Sequence, residues 1–312
     1  MKKIEITLLL LSFAITVSCS NSSNTIEQSS DNKSYNAIGY NLSDPDEIFI
    51  LPDILHEISG ITAIDSLSIA CVQDENGAVF IFDLLKNKIS DRLMFNINGD
   101  YEGITQVGNK FYILRSDGML FEIENTEPSV LKKEIFLTGI PAKNNEGLCY
   151  DKQNNRLLIA PKDNFDKETV KKGKRPVYGF DLSESVFIKE PVFNFDLSDI
   201  KKFALDSKVI DEEKNNKGKD KKKKEKNESE IEFKPSELGI HPHTKDIYVL
   251  SGTENMLFVF DSAGTVKYIE KLKTDLFINP EGITFLNNGD MFISNEGQNR
   301  RATLLRFDYK RN

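Results

Sequence analysis

The sequence predicts an all-β chain wound into a β-propeller of five blades, and three observations carry that expectation. Short segments rich in β-branched and aromatic residues recur along most of the chain. A motif of polar, small, then aliphatic residue repeats at Ser59-Gly60-Ile61, Glu102-Gly103-Ile104, Glu146-Gly147-Leu148, Ser236-Glu237-Leu238 and Glu281-Gly282-Ile283, at steps of 43, 44, 90 and 45 residues. Helical periodicity is nowhere sustained. Repeats of roughly 40 to 50 residues built from short strands are the pattern of propeller blades.

Taken in order, the chain opens on an address. Lys2 and Lys3 precede an apolar run, Ile6 to Val17, that ends in Thr16-Val17-Ser18-Cys19. The run is shorter than the roughly 20 residues a bilayer span needs, so residues 1–18 read as an export signal. The residues before Cys19 resemble the lipobox of bacterial lipoproteins, although Thr16 stands where leucine is usual. That resemblance implies that Cys19 carries the lipid, acyl chains such as palmitate. Ser20 to Lys33 is rich in serine and asparagine with one aliphatic residue, Ile26. Such a segment cannot bury enough surface to fold, so residues 19–40 read as a polar tether and 41–312 as the propeller. Ser20, where aspartate would favour the inner membrane, points to the outer membrane. An ordinary secretory signal with an incidental Cys19 is the alternative.

A strand at Glu47 to Leu51 comes next and is kept in reserve. Each repeat motif then opens a first strand. Second strands follow at Ser68–Val72, Phe111–Leu114, Leu157–Ala160, Ile247–Leu250 and Met291–Ser294. Third strands end in an acid, at Val79–Asp83, Leu120–Glu124, Val177–Asp181, Leu257–Asp261 and Leu304–Asp308. Fourth strands are less regular, with Ile135–Leu137 and Pro191–Phe195 as examples. The last repeat is one strand short, and Glu47–Leu51 supplies it. That loan would close the ring and leave no open sheet edge. The doubled step leaves room for a sixth blade, but it also holds Asp211 to Glu230, with eight basic and seven acidic residues and nothing apolar. The region around 204–231 is expected to be a solvated, disordered insertion.

Composition narrows the function classes. Of 312 residues, 29% are charged and 39% hydrophobic, enough for a core. A net charge of −8 argues against a phosphate-neutralising surface, so nucleic acid is not an expected partner. The absence of tryptophan argues against a WD40 array. Cys71 and Cys149 lie in apolar strands and read as small buried hydrophobes. His56, His241 and His243 have no metal-site or triad spacing and read as surface or turn residues.

In a propeller, the start of the first strand and the end of the second share one mouth of the central channel. The first strands open with Ser59, Glu102, Glu146, Ser236 and Glu281; the second strands end near Arg115, Lys162, Asn295 and Glu296. These nine residues form the candidate ligand- or cation-binding mouth. Glu102, Glu146 and Glu281 are the candidate metal ligands, with Ca²⁺ the fitting cation because it takes oxygen donors. Arg115 and Lys162 are alternative counter-charges. A competing account is that each glutamate caps backbone amides at a tight turn, with the following glycine needed for close approach.

Gly60 to Asp83, Glu146–Asp151 with Leu157–Lys162, and Pro235–Pro242 with Ile247–Ser251 together resemble the SdiA-regulated domain family of YjiK-like proteins, over about Glu47 to Tyr309. The resemblance implies a β-propeller exported to, or anchored at, the bacterial envelope, and no settled activity. The lysine-rich insertion departs from the family pattern. Two functions stay open: a lipid-anchored envelope module binding a small ligand, cation or protein, and a metal-dependent hydrolase of the lactonase or phytase-like kind. No nucleophile–base pair is legible, which favours the first.

Overall fold

A strand buried on both faces needs sheet on either side of it, and that requirement shapes this chain. The computed structural model describes residues 35–127, 130–163, 169, 172–210 and 231–311. The expected signal, Cys19, most of the tether and the stretch 211–230 lie outside the described residues. Among those described, no helix is long and apolar enough to cross a membrane.

Strand β1 (Glu47–Ile50) precedes four consecutive antiparallel sheets. They are β2 (Ile58–Ala63) to β5 (Lys88–Met94), with β3 (Ser68–Gln73) and β4 (Ala78–Asp83) between; β6 (Tyr101–Val107), β7 (Lys110–Arg115), β8 (Met119–Glu127) and β9 (Val130–Leu137); β10 (Asn144–Asp151), β11 (Arg156–Asp163), β12 (Lys174–Asp181) and β13 (Val186–Asp196); and β14 (Glu237–Ile240), β15 (Ile247–Ser251), β16 (Met256–Phe260) and β17 (Val266–Lys271). The fifth sheet is β18 (Pro280–Phe285), β19 (Met291–Asn295), β20 (Thr303–Phe307) and, at its outer edge, β1. Glu47 faces Arg306 and Ile50 faces Thr303 in that last pairing, so the first and last strands of the propeller lock one blade together. First strands touch in sequence around the ring, β2 to β6, β10, β14, β18 and back to β2. The molecule is a five-bladed β-propeller. Among the described residues the long third repeat holds no sixth blade; it adds a long β13 and a helix, and the stretch 211–230 lies outside the description.

Packing follows the blades. Five apolar clusters fill the five blade-to-blade interfaces. Leu148, for example, packs with Tyr112 and Leu114 of the second blade and Leu157 of its own. Cys71 and Cys149 are buried free thiols within such clusters. Burial pushes the Cys71 thiol up to about 12, which leaves it protonated and inert.

Two boundaries differ from the sequence reading. Tyr40 was assigned to the tether, yet it is fully buried against Tyr248 and Tyr309, and its hydroxyl donates to the Gly289 carbonyl at 2.6 Å. Helix α1 (Leu197–Asp206) runs into the region expected to be disordered. Asp196 caps it, accepting from the Ser198 amide at 2.8 Å. Ile200 and Ala204, one turn apart, bury its inner face against Phe195 and Phe258. The charge-rich composition further on hid that short apolar stripe.

Four of the five first strands carry a register irregularity just before the motif glycine, at Ile58/Ile61, Tyr101/Gly103, Asn145/Gly147 and Pro280/Gly282. The bulge re-aims the preceding residue, and the glycine lets neighbouring first strands approach. A Cβ on Gly103 would lie 2.5 Å from the Leu148 Cβ. Gly103→Ala is therefore expected to lower the melting temperature, whereas alanine at Gly108, whose Cβ meets nothing within 4 Å but whose φ is +63°, should show only the smaller cost of its backbone strain. Tyr40→Ala should cost about 3–5 kcal/mol in denaturant unfolding, the usual range for emptying a buried aromatic site.

Candidate functional site

The bulges decide which side chains meet at one mouth of the channel. Glu102, Glu146 and Glu281 each stand one residue before a motif glycine, and they act on one another and on Lys162, which β11 supplies. Lys162 Nζ donates to Glu146 at 2.8 Å, with the two side chains only 16% and 6% exposed. Three carboxyls from three blades thus share one ammonium group.

Removing carboxylates from water disfavours their charged form. Burial pushes Glu102 up to about 9, and the neighbouring Glu146, Asp100 and Glu281 add to it. Burial raises Glu281 to about 8 and Glu146 to about 7, in both cases against the opposing pull of Lys162. Burial also works against the charge of Lys162, but Glu281 and Glu146 outweigh it and hold the ammonium above its ordinary value. Around this group lies an acidic rim. Asp74 is raised to about 6 by its own burial and by Glu57 and Glu296. Glu296 is raised by burial while it accepts from the Asn279 amide at 2.7 Å.

Glu237 completes the arrangement and was missed. It occupies the motif position held by glycine in the other four repeats, it is fully buried, and its strand pairs without a bulge. One carboxyl oxygen accepts from the Leu148 amide at 2.6 Å and from the Leu238 amide at 3.0 Å. The other, Oε2, has no partner. Burial holds its acid form far above the usual carboxylate range, and Glu146 and Glu281 push the same way. The amide-capping role expected of the motif glutamates therefore falls to Glu237. The one departure from glycine in an otherwise regular column was the available signal.

The remaining candidates have other duties. Arg115 pairs with Asp117 at 2.7 Å and lies over the Phe121 ring, so its charge is matched outside the glutamate group. Ser236 donates its hydroxyl to the Pro280 carbonyl and accepts from the Gly252 amide, a bridge between the fourth and fifth blades. The Ser59 carbonyl accepts from the Ser294 hydroxyl at 3.3 Å. Asn295 donates its amide to the Leu276 carbonyl and the Thr303 hydroxyl. Among the described residues, no three His, Cys, Asp or Glu side chains converge closely enough to ligate one metal ion. Glu102, Glu146 and Glu281 therefore form a charge cluster rather than a ready-made coordination sphere.

His241 also departs from the surface-or-turn reading. It does sit in a turn, but it is fully buried, and it lines the channel at the opposite mouth.

No protein-family model and no curated protein sequence matches the chain. Solved structures do. A glutaminyl cyclase from Myxococcus xanthus aligns over 85% of this chain and 95% of its own, at 12% identity and a TM-score of 0.54. A streptogramin B lyase aligns over 85% of this chain and 73% of its own, at 10% identity and a TM-score of 0.43. At such identities the first similarity speaks for the fold alone, and the second carries no argument.

The raised carboxyls fix the sign of a pH effect. Above the ordinary glutamate value of 4.5 the unfolded chain has released protons that folded Glu102, Glu146 and Glu281 still hold, up to their values of about 9, 7 and 8. The folded state binds more protons in that window, so stability falls as pH rises from about 5 towards 9. Glu102→Gln should flatten this slope in melts taken across the range. Lys162→Met should do the reverse. It should cost little at pH 5 and about 3 kcal/mol near pH 8, where the ionised glutamates lose an ammonium partner.

Proposed function

We propose that this protein is an exported, lipid-anchored propeller that serves as a binding module of the bacterial envelope and holds a small cation at its acidic mouth. One observation carries the reading. Glu102, Glu146 and Glu281 share the ammonium of Lys162, and beside them Glu237 leaves a buried carboxyl oxygen unpartnered. A bound cation would supply the missing charge and displace the protons that burial keeps on these groups. With no tight three-ligand set among the described residues, we favour an ammonium group, held by several hydrogen bonds, over a bare metal ion. Export and anchoring rest on the first 19 residues, and the SdiA-regulated resemblance is consistent with both.

A ligand specific to the folded state raises the melting temperature by mass action. Titration with 1,4-diaminobutane is expected to do so, increasingly from pH 6 to pH 9 as the glutamates give up protons. Glu102→Gln combined with Glu146→Gln should abolish the shift. A shift with Ca²⁺ instead would make the cation a metal and revive the propeller-hydrolase alternative, which lactone and phosphate-ester substrates then test. Because the Myxococcus xanthus neighbour is a glutaminyl cyclase, a peptide with N-terminal glutamine serves as a further amine probe. Ammonia release from it would replace binding with catalysis. No shift with diamine, peptide or Ca²⁺ sinks the reading.

A further inference from the structure

A cavity lies at the other end of the axis. Beyond the motif glycines, Ile61, Ile104, Leu148, Leu238 and Ile283, one from each blade, form an aliphatic ring. They line a cavity of about 750 Å³ that opens on the mouth opposite the glutamates and extends between the third and fourth blades. That volume lies within the range of small-molecule sites, roughly 300–1,000 Å³.

Its chemistry differs from that of the acidic mouth. The only carboxylate in the lining is Asp151, and Arg156 pairs with it at 2.9 Å. Lys152 and Lys245 add two exposed positive charges to the same lining. The nearby Asp246 carboxylate is matched by Lys267 at 2.7 Å. Deeper in stands His241, fully buried, whose Nδ1 accepts from the His243 amide at 3.2 Å and the Thr244 amide at 3.1 Å. A ring nitrogen that accepts carries no proton, so Nε2 holds it and is a donor. Nε2 has no partner. Burial lowers the imidazole to about 4, so this tautomer persists at neutral pH. A buried donor without an acceptor is costly, and a ligand that supplies one removes that cost.

We propose that this cavity is a second ligand site, independent of the acidic mouth, for a small organic carboxylate with an apolar body. The tail packs on the five-residue aliphatic ring, and the carboxylate faces the Lys152 and Lys245 side. Charge complementarity selects the anion: an ammonium headgroup would be repelled by the two lysines, and a neutral one would gain no ion pair from them.

Calorimetric titration of the full chain with octanoate, octanol and octylamine tests this, because the three share one tail. Octanoate is expected to bind about tenfold or more tighter than either of the others. Lys152→Glu with Lys245→Glu, both surface changes, should remove that preference or invert it in favour of octylamine. Gln106→Trp, which fills the cavity wall, should weaken all three ligands. Glu102→Gln with Glu146→Gln should leave octanoate binding unchanged, which separates this site from the acidic mouth. Absence of octanoate binding, equal affinity for the three headgroups, or an unchanged preference in the double lysine variant overturns the proposal.

Discussion

Five first strands must crowd around one axis, and each has a sheet neighbour on only one side. That close approach governs the rest of the molecule. It demands glycine where a side chain would strike the next strand, as Gly103 would strike Leu148 and Gly147 would strike Leu238. It also leaves backbone amides on the inner edge in need of acceptors. At Glu237 the chain answers differently: a full side chain replaces glycine, the bulge disappears, and the carboxyl takes up the amides of Leu148 and Leu238.

The same crowding makes the charge cluster expensive. A glutamate one residue before the glycine is carried to the axis whether or not its charge is welcome, and there it meets its counterparts from other blades. Lys162 offsets part of the repulsion, and retained protons offset more. Proteins keep such strain where it serves a site, and this mouth is where the fold concentrates perturbed carboxyls. Past the glycines the first strands turn aliphatic and then polar, so the two ends of one channel are chemically opposite: acidic at one, apolar with a basic rim at the other.

Much of this was legible along the chain. The 43- to 45-residue spacing, the acid-ended third strands and the spare strand at Glu47 were enough to expect five blades and their closure, because repeated local patterns need only be counted. Glu102, Glu146, Glu281 and Lys162 were legible for the same reason, as equivalent positions in equivalent repeats. Glu237 was overlooked because the motif was matched on its serine, and His241 because a turn beside proline suggested exposure. Arg115 looked like a counter-charge until Asp117, two residues away, proved to hold it. Helix α1 was hidden by the charge run that follows it.

The strand repeat and the column of acids can be read from the sequence alone, since periodicity and residue type are local properties that survive without coordinates, while the fold decided five blades over six. Tertiary structure decided how those acids behave. Burial depth, the ammonium of Lys162 shared by three glutamates, the unpartnered oxygen of Glu237 and the buried ring of His241 all depend on which groups meet across blades. Desolvation and Coulomb energy are set by such distances through space, and spacing along the chain does not encode them.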